Sequence, residues 1–249
     1  MLKVDKLDGQ AMTKYSICIT NYNMMDTIHE SMEAVLAQLD SDFEVVVCDS
    51  CSDDGSREVL DEYEREGRIK LIVQKSSRGK GRQIAFENSC GDYIISGIDT
   101  DDVVKPTLRA LLRTYHDQHE GYMLSLDTIH IIPRKLVKAT GGWRDMQWGE
   151  DVDFTKRVEF MSKLHYFPDA TFIIKRRGRV KRGSLYKLKE RFRFYQCCYR
   201  IGLNGFGVVK TSPWYEQPIQ FAVALAAIAV CKYKREQKFK YSQTGNVSP

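Results

Sequence analysis

The stretch IISGIDTDDVV, residues 94–104, decides the fold. An apolar run ends abruptly in Asp99, Asp101 and Asp102, with no lysine or arginine among them. Like charges this close raise one another's energy unless a cation or strong donors face them. Three similar apolar runs precede it: YSICIT at 15–20, FEVVVCD at 43–49 and IKLIV at 69–73. Each is short, β-rich and almost continuous in its apolar character, as strands covered on both faces are. Tyr93–Ile98 makes the fourth strand of this series.

Helical patterns separate these strands. Residues 24–39 carry Ile28, Met32, Val35, Leu36 and Leu39 at helical spacing. Ser56 is placed to cap a helix whose apolar face is Val59, Leu60 and Tyr63. After SSRGKGR, residues 83–89 read as helical, and Gly91 punctuates before the fourth strand. Alternation of this kind predicts an α/β fold with a mostly parallel sheet flanked by helices. Ligands of such sheets bind beyond the carboxyl ends of the strands. The polar clusters Asn21-Tyr22-Asn23, Asp49 with its following loop, and Asp99 to Asp102 all fall there. If the chain stays extended at the last of these, Asp99 and Asp101 point the same way. Paired carboxylates at such a rim suit Mg²⁺ or Mn²⁺, which keep places for phosphate oxygens. Taken alone, a D-x-D is as readily a turn or capping cluster.

Downstream, a helix is expected over 107–115, and an extended segment over 123–132 ending at Pro133. The run GGWRDMQWGEDVDFTKRVEF then sets Glu150 and Asp151 near the start of an amphipathic helix, where the helix dipole favours carboxylates. A short strand is expected over 172–174. Beyond it KRRGRVKRGSLYKLKERFRFY holds most of the positive excess of a chain whose net charge is +5. The apolar run Ile219–Cys231 covers only ~20 Å as a helix, against a hydrocarbon core of ~30 Å. It reads either as an interfacial helix, with Trp214 and Tyr215 before it and KYKREQKFKY after it, or as a helix packed on the protein.

At 249 residues, 43% hydrophobic and 29% charged, the chain is no disordered protein and has room for one large domain plus an appendage. The opening MLKVDKLDGQ lacks the apolar core of a signal peptide, and seven cysteines is an odd number. The expectation is reduced thiols and a cytoplasmic location, either free or at the cytoplasmic face of a membrane. Cys48 and Cys51 form a C-x-x-C without the second pair that a zinc site needs. DSCSDDGS does not fit an EF-hand, because Gly55 is one place late and the distal glutamate is missing. Gly79-Lys80-Gly81 lacks the spacing of a Walker loop, and Arg78 and Arg82 stand beside it as candidates to neutralise a diphosphate. The basic run Lys175–Arg193 suits phosphate or anionic headgroups, and no nucleic-acid motif accompanies it.

Taken in order, SICITNYN, VVCDSCSDDGS, RGKGRQIAFENSCGDYIISGIDTDD and GGW…WGEDVDF…R resemble the family-2 glycosyltransferases of the GT-A fold, over residues 15–158. The resemblance implies a Rossmann-like GT-A domain over 1–175 and a basic helical extension over 176–249. It implies inverting transfer from a nucleotide-sugar donor, UDP ahead of GDP, to a glycan or lipid-linked acceptor, with Mn²⁺ or Mg²⁺. Carried over by position, Tyr22 and Asn23 correspond to the first nucleotide-contacting loop and Asp49 to the acid that meets the base. Asp99 and Asp101 form the D-x-D that holds donor and metal. Asp151 is the general base, with Glu150 orienting or touching the acceptor. The alternatives are a polyprenyl-phosphate transferase with peripheral membrane contact, and a non-catalytic nucleotide-sugar-binding module. Thr20-Asn21-Tyr22-Asn23 and Asp49-Ser50 depart from the family's usual Pro-Thr-Tyr-Asn and double Asp, which bears on base preference.

Overall fold

The computed structural model describes residues 14–126, 129–167 and 173–176, single positions between 188 and 199, and a helical stretch at 221–232. The chain divides into two units, Met1–Arg177 and Gly178–Pro249.

In the first unit the order is β1 (Tyr15–Asn21), α1 (Ile28–Leu36), β2 (Phe43–Asp49), α2 (Ser56–Arg65), β3 (Lys70–Val73), α3 (Arg78–Glu87) and β4 (Tyr93–Ser96). There follow β5 (Asp102–Val104), α4 (Leu108–Gln118), β6 (Met123–Leu126), β7 (Ile129–Pro133), α5 (Arg134–Thr140), α6 (Glu150–Phe160), β8 (Leu164–Tyr166) and β9 (Ile173–Arg176). Seven strands form one sheet in the order β3-β2-β1-β4-β7-β6-β8, while β5 and β9 pair apart from it. The pairs β3-β2, β2-β1, β1-β4 and β6-β8 are parallel. The pairs β4-β7 and β7-β6 are antiparallel.

The near-continuous apolar strands reflect two covered faces. Ile17, Ile19, Val45, Val47, Ile95 and Ile131 pack on one face beneath Ile28, Met32, Leu60, Leu111 and Tyr115. Cys18, Val46, Cys48, Ile94 and Ile132 pack on the other with Ile84, Phe86, Val137, Trp143, Phe154 and Val158. Alternate residues of one strand thus enter opposite cores. Each fully buried Val, Ile or Leu contributes about 1.5–3 kcal/mol relative to exposure.

Several local expectations are corrected. The fourth strand stops at Ser96, because Gly97 takes φ +83 and the chain turns before reaching the acids. Residues 99–102 close that turn, with the Asp102 amide donating to the Asp99 carbonyl at 3.1 Å, so the chain is not extended there. The helix expected over 83–89 begins five residues earlier, with Ser77 at its N-cap accepting from the Lys80 amide at 3.1 Å. Gly79 and Gly81 therefore lie inside α3. Gly55, at φ +96, takes the N-cap position of α2 that was expected of Ser56. The extended segment 123–132 is an antiparallel pair, β6 and β7, rather than one strand.

In the second unit the described positions 188, 192, 195, 196, 199 and 221–232 are helical. Tyr195, Ala224 and Ala227 are buried together, with Phe192 and Val223 against them. The Cys231 thiol approaches the Gln196 carbonyl at 3.9 Å. Most of the basic run Lys175–Arg193, together with Trp214, Tyr215 and the residues after Lys232, lies outside the described residues.

Candidate active site

Parallel β1, β2 and β4 end on one edge of the sheet, and the polar clusters sit there. Asn21 is opposite Asp49 in the register. The Asn21 amide nitrogen donates to Asp49 Oδ1 at 2.8 Å and to the hydroxyls of Ser52 and Ser56 at 3.2 Å. Its oxygen accepts from Thr100 Oγ1 at 2.9 Å. One buried side chain thereby ties the ends of β1 and β2 to the acidic turn after β4. The Asp49 carboxylate is 0% exposed and also accepts from the Ser52 hydroxyl at 2.6 Å and the Ser52 amide at 2.9 Å. In this geometry it braces the loop that follows β2. Asn23, at φ +53, exchanges two hydrogen bonds with Asp53, at 2.8 and 3.1 Å. Tyr22, 58% exposed, presents its ring at the rim.

Beyond β4, Asp99, Asp101 and Asp102 bring carboxylate oxygens within 4.8 Å of one another. The turn does what an extended chain could not, because it adds Asp102, which alternation had assigned to the opposite side. Three hard oxygen donors with no sulfur or imidazole among them fit Mg²⁺ or Mn²⁺ rather than a softer ion.

Arg82 connects this triad to the start of α6. It is 2% exposed, and its guanidinium lies 2.9 Å from Asp151 Oδ2, 3.4 Å from Glu150 Oε1 and 3.7 Å from Asp99 Oδ1. Burial opposes its charge, but Asp151, Asp99 and Glu150 together outweigh burial and hold its pKa above the ordinary arginine value. Glu150 responds the other way. Burial, reinforced by the charge of Asp151, raises its pKa despite Arg82 and Arg78. Arg78, 3.8 Å from Glu150, is the more exposed arginine and lies over the Trp148 ring at 5.4 Å. Asp151 Oδ1 accepts from Trp143 Nε1 at 3.3 Å. A carboxylate has about four lone-pair positions, so Asp151 keeps acceptor capacity beyond its two protein donors.

The local sequence explains this placement. Gly149, at φ +73, turns the chain into α6 and puts Glu150 and Asp151 in its first turn. Asp153, buried in the same first turn, is clamped by Arg144 at 2.9 Å and Arg157 at 2.8 Å. Arg157 also donates to the Gly142 carbonyl at 2.7 Å. Gly79 packs on the same segment: a Cβ there would meet the Arg144 carbonyl at 2.1 Å, and its amide donates to the Met146 carbonyl at 2.9 Å.

Asp99, Asp151 and Arg82 are therefore brought into direct contact, with Asp101 beside Asp99 and Arg78 beside Glu150. Tyr22, Asn23 and Asp49 gather separately around the ends of β1 and β2. Three participants escape a reading of the sequence. Asp102 was in the quoted motif, but strict alternation set it aside. Asn21 was one member of a polar cluster with nothing to distinguish its role. His130, on β7, is buried with no hydrogen-bond partner for Nδ1 and feels the charges of Asp151 and Arg82. Its position inside an apolar run gave no signal. Cys48 is buried, Cys51 is exposed, and both are free thiols.

A fold of this order, with a carboxylate cluster at the strand ends and an acid pair on the following helix, defines the GT-A class. The model of "Glycosyl transferase family 2" matches residues 16–181, and the chain belongs to that family. Among curated relatives, the putative glycosyltransferase EpsE of Bacillus subtilis is 31% identical over 211 residues, covering 71% of this chain and 73% of EpsE. WfgD of Escherichia coli, named as a UDP-Glc:α-D-GlcNAc-diphosphoundecaprenol β-1,3-glucosyltransferase, is 33% identical over 90 residues, 35% of each chain. The match spans 37% of the uncharacterised glycosyltransferase alr2836 of Nostoc and 24% of TarS of Staphylococcus aureus, so the chain covers only part of such relatives. Two solved structures share the fold. TarS 1–349 with UDP-GlcNAc gives a TM-score of 0.60 at 17% identity, covering 88% of this chain and 80% of that one. The mannosyltransferase PcManGT of Pyrobaculum calidifontis with GDP-Man and Mn²⁺ gives 0.61 at 17% identity, covering 95% and 76%.

Proposed function

We propose that this chain is an inverting glycosyltransferase that moves a sugar from a nucleoside diphosphate sugar to an acceptor hydroxyl. The observation that carries the reading is the convergence of Asp99 and Asp151 on the buried Arg82, with Asp101 and Asp102 alongside. Tyr22 and Asn23 form the rim on which the nucleotide base rests, with Asp49 fixing the loop beneath it. Arg78, half exposed, is the arginine suited to the donor diphosphate, and Arg82 positions the acids. Asp99, Asp101 and Asp102 hold Mn²⁺ or Mg²⁺, which when bound neutralises charge on the departing diphosphate.

Asp151 takes the proton of the acceptor hydroxyl as that oxygen attacks the anomeric carbon. Arg82 and Trp143 fix the carboxylate in place. Buried Glu150 sits next to Asp151 and orients the acceptor. UDP is the first donor to test and GDP the second, in keeping with the UDP-GlcNAc bound to TarS and the GDP-Man bound to PcManGT.

Asp151→Asn keeps the size and the hydrogen bond to Trp143 but removes the base. Turnover should fall by about 10²–10⁴-fold, the range expected for a lost general base. Nucleotide binding measured by calorimetry should be retained. Normal turnover in this variant assigns the base elsewhere. A non-catalytic binding module would bind the donor and release no UDP in the wild-type chain with any acceptor.

A second reading, transfer to a lipid-linked phosphate acceptor at a membrane, draws on the basic run at 175–193 and on the diphosphoundecaprenol acceptor in the name of WfgD. No described helix is long and apolar enough to cross a membrane. Any contact in this reading is therefore peripheral for the described residues.

A further inference from the structure

Residues 221–232 form a helix with two apolar faces. One face carries Ala224, Ala227 and Cys231, which are buried, with Ala224 and Ala227 packed by Tyr195 of the same unit. The opposite face carries Phe221, Ala222, Leu225, Ala226 and Ala229, all exposed; Phe221 is 49% and Leu225 48% exposed. The positions 221, 225 and 229, flanked by 222 and 226, follow the four-residue spacing of a continuous helical stripe. An ordinary surface helix puts charge on its outer face. This one first meets charge at Lys232, and the sequence then supplies Lys234, Arg235, Lys238 and Lys240. Trp214 and Tyr215 precede the helix in sequence, residue types that settle at the boundary between lipid and water.

We propose that the 221–225–229 face is a membrane-docking surface, lying in the plane of an anionic leaflet. The helix is held to its own unit by its small residues and turns its larger ones, Phe221 and Leu225, toward lipid. An aqueous protein partner would account for an apolar stripe, but not for the five basic residues that follow it within nine positions. A bilayer surface bearing anionic headgroups accounts for both, since the stripe enters the acyl boundary while the cations meet phosphate. The short length agrees, because a helix lying in the interface need not match the hydrocarbon thickness. This inference deepens the lipid-linked reading above by naming the surface. It can fail without affecting the assignment of Asp151.

The test uses the full chain and sucrose-loaded vesicles of phosphatidylcholine, with and without phosphatidylglycerol, at low and high salt. Wild-type protein should sediment with the anionic vesicles and be released by salt. Phe221→Glu combined with Leu225→Glu should reduce the bound fraction by at least about tenfold, with unchanged far-UV circular dichroism. Leu225→Trp preserves the apolar face and reports insertion: its emission should shift to the blue on anionic vesicles and be quenched by brominated lipid. UDP release in solution should be unchanged in all three proteins. Failure of wild-type protein to sediment at low salt overturns the proposal. So does equal sedimentation of the double-Glu protein, or a dimer in solution that the same substitutions dissolve, which would assign the face to a second copy of the chain.

Discussion

Arg82 shows how one side chain sets the chemistry of several. Its guanidinium is surrounded by Asp151, Glu150 and Asp99, and removing one partner of a buried ion cluster leaves uncompensated charge behind. Arg82→Met should cost about 3–5 kcal/mol in urea unfolding, with turnover lost as well. A stability change below about 1 kcal/mol would mean that the acids have other support. His130 makes one contribution to the pH dependence of stability. Burial lowers its pKa below the usual 6.5, against the opposing pull of Asp151 and with the help of Arg82. A depressed folded pKa means that the unfolded chain binds more protons, so stability is present above 6.5 and is lost as pH falls through the folded value. His119, also lowered, acts in the same direction. The comparison with His130→Asn isolates one residue: urea midpoints of the variant should fall less steeply than wild type below about pH 6.5. Parallel profiles would show that His130 does not titrate on unfolding. The acids at 99, 101 and 151 stood out in the sequence through the order of the motifs that carry them, since a D-x-D alone is as readily a turn. His130 and Asn21 were not, because burial and partnership belong to the folded chain.

At the scale of elements, the site depends on where α3 and α6 begin. Both start at strained or crowded points: α6 follows Gly149 at φ +73, and the first turn of α3 presses Gly79 against the 144–146 backbone. Gly79→Ala places a methyl 2.1 Å from a carbonyl oxygen that belongs to the main chain and cannot simply rotate away. Overpacking of this kind costs about 1–3 kcal/mol, to be read from denaturant unfolding. Because that backbone leads into Glu150 and Asp151, turnover should fall more than stability alone explains. A neutral Gly79→Ala would show that the segment yields. The strands were readable from their apolar runs, and β2 has the expected bounds Phe43–Asp49. The start of α3 was not. The glycines of RGKGR speak for a loop, and tertiary packing against Arg144 and Met146 overrides that propensity. The split of 123–132 into β6 and β7 was hidden for a related reason, since a buried hairpin and one long buried strand share the same apolar composition.

For the whole molecule, the alternation of strand and helix up to β4 was enough to predict a mostly parallel sheet and the edge at which its polar clusters lie. The antiparallel β7, inserted between β4 and β6, carries no such signal, because strand order is set by crossovers and packing rather than by local pattern. The same sheet edge brings residues far apart in sequence, Asn21, Asp49, Asp99 and Asp151, into one region. That gathering underlies the central claim: acids at the strand ends hold a divalent cation that in turn holds a nucleotide diphosphate. Calorimetric titration of UDP, and then GDP, into the wild-type chain and Asp101→Asn, with Mn²⁺ and with chelator, tests this most directly. The account predicts binding at least about tenfold tighter with Mn²⁺ for the wild type, and loss of that gain in the variant. Equal affinity with chelator, or a full Mn²⁺ effect in Asp101→Asn, would contradict it.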